Sequence, residues 1–148
     1  MKISAKGRYA LASMTLLAQH TSDGTPMTVL AISEQLGISK LYLEQVFALL
    51  RQGNWVTAIK GSRGGYLLAH SPDEISAADI LSETENSIFE EAENTVADSA
   101  PGIERALQDM LFSPANKAVK NVFERMSLSD LAEESLRTFP EDGYTFCI

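Results

Sequence analysis

The sequence predicts a mostly α-helical chain with one small β-hairpin: a helix, a helix-turn-helix, the hairpin, and then a further helical region. Three observations carry this reading. Apolar residues recur at three- and four-residue spacing through most of the 148 positions. That pattern breaks between Trp55 and Ala69, where two β-prone runs flank a glycine-rich turn. The charge is also unevenly divided. The chain carries −8 overall, yet residues 1–70 hold seven basic against three acidic side chains (+4) and residues 71–148 hold five against seventeen (−12). A split of that kind marks two functional regions, 1–70 and 71–148.

The first helix starts near Ser4 and aligns Ala10, Met14, Leu17 and Ala18 on one face, until the polar run Thr21-Ser22-Asp23-Gly24-Thr25-Pro26 stops it. Thr28 caps a second helix with inner face Val29, Ile32 and Leu36; Gly37 ends it and Ser39 caps a third. Two short helices joined by a three- or four-residue turn containing glycine are the signature of a helix-turn-helix. In the third helix Leu43, Val46, Phe47 and Leu50 face inward. Leu41, Glu44, Gln45 and Ala48 are displaced by two residues, about 200° around the axis, and face out. Lys40 and Tyr42 flank that outer face in the first turn. The runs from Trp55 to Lys60 and from Tyr66 to Ala69 form a hairpin about Gly61–Gly65, with Trp55 expected in the core. This order of elements is that of a winged-helix DNA-binding domain.

Ser71-Pro72-Asp73-Glu74 leads out of that unit, and Ser76 caps a short helix through Thr84. Part of the acidic stretch from Glu83 to Asp98 is expected to be a mobile loop, because few of its residues can bury themselves. The helical stripe resumes at Ile103, Ala106, Leu107, Met110 and Leu111. Pro114 then interrupts it: either Ser113 caps a fresh helix with Pro114 at its first position, or one kinked helix continues. Ser127 and Asp130 cap a last helix holding Leu128, Leu131 and Leu136. Ala115, Ala118, Val119, Val122, Phe123 and Met126 form a stripe too apolar for a protruding helix to leave bare, which predicts the two-fold interface of a homodimer.

Several function classes are excluded. No apolar run approaches the ~20 residues of a membrane span, and the Met-Lys-Ile-Ser start lacks a signal peptide's apolar stretch, so a cytoplasmic protein is expected. The lone Cys147 rules out an intrachain disulfide and a multi-thiolate metal site. His20 and His70 are too isolated to suggest a metal. There is no nucleophile–base pair, and Gly61–Gly65 leads into a strand rather than the helix a phosphate loop requires. No enzyme activity and no cofactor are expected. The acidic average, with a pI near 4.7, argues against nucleic acid, whereas the +4 of residues 1–70 places cations where a DNA face would lie.

Three motifs resemble one family: Lys2-Ile-Ser-Ala-Lys-Gly-Arg-Tyr-Ala10, then Ile38-Ser39 with Tyr42-Leu-Glu-Gln45, then Lys60-Gly61 through Gly64-Gly-Tyr-Leu-Leu68. In that order and spacing over residues 1–70 they look like the BadM/IscR/CymR family of small dimeric bacterial winged-helix transcription regulators. Ile75–Ile80 resembles the family's next segment. The resemblance implies sequence-specific operator binding, with repression as the mode and double-stranded, palindromic DNA as the partner, since two recognition helices about one turn apart read such a site. The helix capped by Ser39 would enter the major groove with Leu41 and Tyr42, Lys40 and Gln45 donating to base edges. Glu44 would accept from a cytosine amino group and, being repelled by phosphate elsewhere, select against wrong sequences. The wing of Lys60, Gly61, Ser62, Arg63, Gly64 and Gly65 would lie on backbone or minor groove. Lys2, Lys6 and Arg8 would meet phosphates. The alternative is a winged helix that binds protein, which would not need Lys60 and Arg63 beside Lys40 and Lys2.

Iron–sulfur members of the family carry three cysteines before the long helix, and residues 85–104 here contain none. The tail, an aromatic-rich run from Phe139 that ends on Ile148, resembles the cysteine-metabolism repressor branch, the CymR type, which also lacks those cysteines and is understood to act with cysteine synthase. On that branch Tyr144, Phe146 and Ile148 would form a partner-binding tail. Their period-two spacing equally suits a terminal strand, and Cys147 between them reads as an inert thiol.

Overall fold

The computed structural model describes residues 1–20 and 23–138. Helix α1 (Ala5–His20) begins at Ser4, whose Oγ accepts the Gly7 N–H at 3.1 Å. Helices α2 (Val29–Leu36) and α3 (Lys40–Gln52) are each started by the expected hydroxyl. Thr28 accepts from the Ala31 N–H at 3.1 Å and Ser39 from the Tyr42 N–H at 3.4 Å. Gly37 closes α2 in the left-handed region, φ 65°, where a Cβ would be strained. The caps, with the Ser33 hydroxyl donating to the Ile38 carbonyl at 2.5 Å, set the turn of the helix-turn-helix.

Strands β1 (Val56–Ile59) and β2 (Gly65–Leu68) pair antiparallel, Val56 opposite Leu68 and Ile59 opposite Gly65. Met27, just before α2, joins the edge of β2: its N–H donates to the Tyr66 carbonyl at 3.0 Å and its carbonyl accepts the Tyr66 N–H at 2.7 Å. The approach is so close that a Cβ on Gly65 (φ 145°) would sit 2.5 Å from the Met27 carbonyl, and one on Gly64 would collide with the Ile59 carbonyl oxygen. Trp55 stands just before β1, half-buried, its indole N–H donating to Glu83 at 3.4 Å. It packs at the edge of the core with a polar tip outward, not inside a strand.

The core runs through both charge regions. Ala10, Met14 and Leu17 of α1, Ile32 of α2, Leu43, Val46, Phe47 and Leu50 of α3, and Val56 meet Ile75, Ile80 and Leu128 from beyond position 70. Helix α4 (Ala77–Thr84) packs on α1 and α3, and α7 (Leu128–Thr138) returns along α1. A backbone bridge joins their starts: the Ala77 N–H donates to the Met126 carbonyl at 2.8 Å and the Leu128 N–H to the Ile75 carbonyl at 2.9 Å. Both helices open with a reciprocal cap, Ser76 with Asp79 and Ser127 with Asp130.

Residues 85–100 form neither helix nor strand, as a loop reading expects, and the segment is anchored at Thr95 and Val96. Glu104, only 5% exposed, accepts the N–H groups of Thr95 (2.9 Å) and Val96 (2.7 Å) and the Gln108 side-chain amide (3.0 Å). The Val96 N–H, then Gln108 and Thr95, hold its carboxyl below the usual range. Phe89 meets Phe123 edge-on, 6.2 Å between centroids. One carboxylate thus gives fixed partners to backbone that has little to bury.

At Pro114 the second of the two open alternatives holds. Helix α5 (Pro101–Leu107), a π-helical turn at Gln108–Phe112, and α6 (Ser113–Arg125) run on without interruption. Phe112 and Ser113 are both α-helical, Ser113 makes no side-chain cap, and its N–H bonds the Gln108 carbonyl five residues back. A wider turn tolerates the ring and missing N–H of proline, which would clash in a regular α-helix.

Candidate nucleic-acid interface

The outer face of α3 is bare. Leu41 is 70% exposed, and Lys40, Glu44, Gln45 and Ala48 are exposed beside it. Lys40 Nζ lies 3.7 Å from Glu44 Oε1, both side chains about half exposed. Such a pair is worth about 0.5 kcal/mol at most, so DNA can break it and leave each residue to its own partner. Tyr42 is half-buried with its ring edge-on to Tyr9 at 5.2 Å. This contact sets the first turn of α1, with Lys6 and Arg8, beside the first turn of α3. Tyr42 is thereby a joint between the two elements as well as a flank of the outer face.

The hairpin is held to α3 by Phe47 against Tyr66, 4.6 Å between centroids. Lys60, Gly61, Ser62 and Arg63 are exposed at its tip, while Gly64 and Gly65 are turned into the chain by the contacts described above. At the N-terminus Lys2 and Arg8 are exposed and Lys6 is half-buried; Arg8 donates to the Ile3 carbonyl at 3.2 Å. The start of α1 is fixed from the acidic region: Glu85 accepts the Ser4 N–H at 2.8 Å and its hydroxyl at 2.7 Å.

Sequence reasoning missed Arg51. It is exposed and lines a shallow groove between α3 and the hairpin with Glu44, Ala48, Gln52 and Tyr66. The signal was available, since Arg51 lies one helical repeat beyond Glu44 on the outer face.

Comparison with known proteins decides the family. The profile of Rrf2, described as an iron-dependent transcriptional regulator, matches residues 3–134. The chain belongs to the Rrf2 family. A relative, the HTH-type transcriptional regulator IscR of Aliivibrio salmonicida, is 34% identical over 131 residues, spanning 88% of this chain and 77% of that protein. Among solved Rrf2-type structures, CymR, the global cysteine regulator of B. subtilis, superposes with a TM-score of 0.76 at 36% identity, covering 90% of this chain and 98% of that one. IscR of T. potens gives 0.73 at 30% identity, covering 99% and 96%. These relatives are named as regulators, not enzymes. This chain is an Rrf2 helix-turn-helix transcriptional regulator of the IscR and CymR kind, with a winged-helix fold. No helix among its described residues is long and apolar enough to cross a membrane.

The iron in the Rrf2 description does not fit the residues present. The segment from 85 to 104 offers no thiolate, and its buried carboxylate, Glu104, is consumed by three hydrogen bonds. His70 is engaged with the Asn54 carbonyl at 3.0 Å, far along the chain from this segment.

On the α5–α6 helix, Ala115, Ala118, Val122 and Met126 are exposed, with Val122 62% bare. Val119 and Phe123 are half-buried, and Phe123 faces Phe89 of its own chain. Ile103, Met110 and Leu111 extend the exposed apolar face toward the start of the helix. Tyr144, Phe146, Cys147 and Ile148 lie outside the described residues.

Proposed function

We propose that this regulator is a homodimeric repressor whose two winged helices read a palindromic operator. The observation that carries the reading is the cap-started α3 with an unobstructed outer face between two exposed cationic elements, on a chain of net charge −8. Lys40 and Gln45 donate to base edges, Leu41 meets a thymine methyl, and Glu44 selects for a cytosine amino group. Ser39 starts the helix at the groove and Tyr42 supports it. Lys2, Lys6, Arg8, Arg51, Lys60 and Arg63 contact phosphates or the minor groove, with Gly61 and Ser62 keeping the wing tip slender. The exposed face of Ile103, Met110, Leu111, Ala115, Ala118 and Val122 forms the two-fold contact, and residues 71–148 serve as the dimerising region.

Cysteine supply is the regulated process in this reading, through a complex with cysteine synthase. The similarity to CymR supports it, together with the absence of cluster thiolates and the Tyr144–Phe146–Ile148 segment. Anisotropy titration with upstream DNA against random DNA, across a salt series, tests the operator reading. Preference for upstream DNA with affinity falling steeply in salt is expected; equal or salt-independent binding overturns it. Loss of cysteine synthase from a pull-down when Ile148 is deleted tests the partner.

A further inference from the structure

Only five of the twelve basic residues lie beyond position 70, and three of those are paired along the helices: Arg105 with Asp109, Lys120 with Glu124 and Arg137 with Glu134. Lys117 has no carboxylate within ion-pair distance among the described residues. It shares a cleft of about 180 Å³ with Lys120, Ser113 and Asn116 of α6 and with Phe89 and Glu91 of the 85–100 segment. The four α6 residues follow i, i+3, i+4, i+7 spacing and so form one polar face, begun directly after the π-helical turn. Turns of that kind recur at functional sites. Asn116 also holds the opposite wall, donating to the Glu90 carbonyl at 3.4 Å.

We propose that this cleft binds a small organic acid that also carries an amino or hydroxyl group, as the signal molecule of the regulator. Two ammonium groups one turn apart suit a carboxylate, with the Ser113 hydroxyl beside them. Glu91 on the facing wall disfavours a bare multivalent anion and suits a ligand whose other end donates. Phe89 covers the short apolar part between. The volume is that of roughly six waters at about 30 Å³ each, which suits a small amino- or hydroxy-acid. The same segment reaches the DNA face, since its first residue, Glu85, holds Ser4 at the start of α1.

The test is calorimetric titration of the full-length protein, without DNA, using L-serine, L-lactate, propionate and inorganic phosphate. L-Serine or L-lactate should bind at least about tenfold more tightly than propionate or phosphate, and Lys117→Gln with Lys120→Gln should weaken that binding about tenfold or more. Glu91→Gln should erase the preference over propionate. Circular dichroism melting of the lysine variant should match the wild type, because both side chains are exposed. No heat from any probe, equal binding of phosphate, or binding unchanged by the lysine substitutions overturns the proposal. Because DNA is absent from the titration, failure here leaves the operator reading standing, and the reverse also holds.

Discussion

Single residues in this protein are set mostly by what they leave unpaired or pair cheaply. Glu44 is the clearest case. Its only ionic partner among the described residues is Lys40, one turn earlier and half in water, so the carboxylate is available to a base donor and costly beside a phosphate. Glu44→Ala should therefore relax base preference while leaving overall affinity within a few-fold. Selection of binding sites from a random library measures this, and an unchanged site profile refutes the assigned role. Glu104 is the opposite case, with both carboxylate oxygens accepting hydrogen bonds. Its carboxyl is held below the ordinary glutamate value of 4.5. A depressed native pKa contributes stability that is complete above the unfolded value and lost as pH falls through the native one. The 85–100 segment should therefore loosen on acidification below about pH 4. Glu104→Ala should produce the same loosening at neutral pH, seen as amide exchange at Thr95 and Val96 faster by about tenfold or more.

At the scale of elements, the joint between α4 and α1 ties the acidic region to the basic one. Glu85 holds Ser4, and a Cβ on Gly7 would meet both the Glu85 carboxylate and Ile3 Cγ2, at 2.9 Å. Glu85→Ala should leave the fold intact and weaken DNA binding a few-fold with a shallower salt slope, because Lys2, Lys6 and Arg8 lose their fixed start. Gly7→Ala should destabilise the wild type and cost less in the Glu85→Ala background, where only the Ile3 contact opposes alanine's helix preference of about 1 kcal/mol. Additive effects would exclude the contact. Helix boundaries were the most legible feature because each rests on one side chain and one amide: Thr28, Ser39, Ser76 and Ser127 all cap as read. Pro114 was not legible to the same degree. Ser113 and Pro114 satisfy the local rule for a helix start, and only the surrounding helix favours a π-helical turn instead.

In the whole molecule the two charge regions share one core, so dividing function at position 70 does not divide folding. Leu128 is fully buried in that core, and Leu128→Ala should cost about 2–5 kcal/mol in a single cooperative unfolding transition that includes α3. Separate melting of residues 1–70 would contradict the shared core. In the proposed homodimer the exposed face on α5–α6 is the two-fold contact. Val122→Glu should convert dimer to monomer in sedimentation and reduce operator affinity steeply while leaving the monomer folded, since Val122 is 62% exposed. A variant that remains dimeric would move the interface elsewhere.

By itself the sequence determined the element order, most of the caps, the inner and outer faces of α3 and the sign of each region, because these depend on spacing along one chain and on chemistry within one turn. Tertiary structure alone decided the rest. It placed Leu128 against α1, turned Phe123 toward Phe89, ordered the acidic segment about Glu104 and brought Glu85 to Ser4. Each of these joins groups distant in sequence or on separate elements, and no local periodicity encodes which of many compatible surfaces will meet.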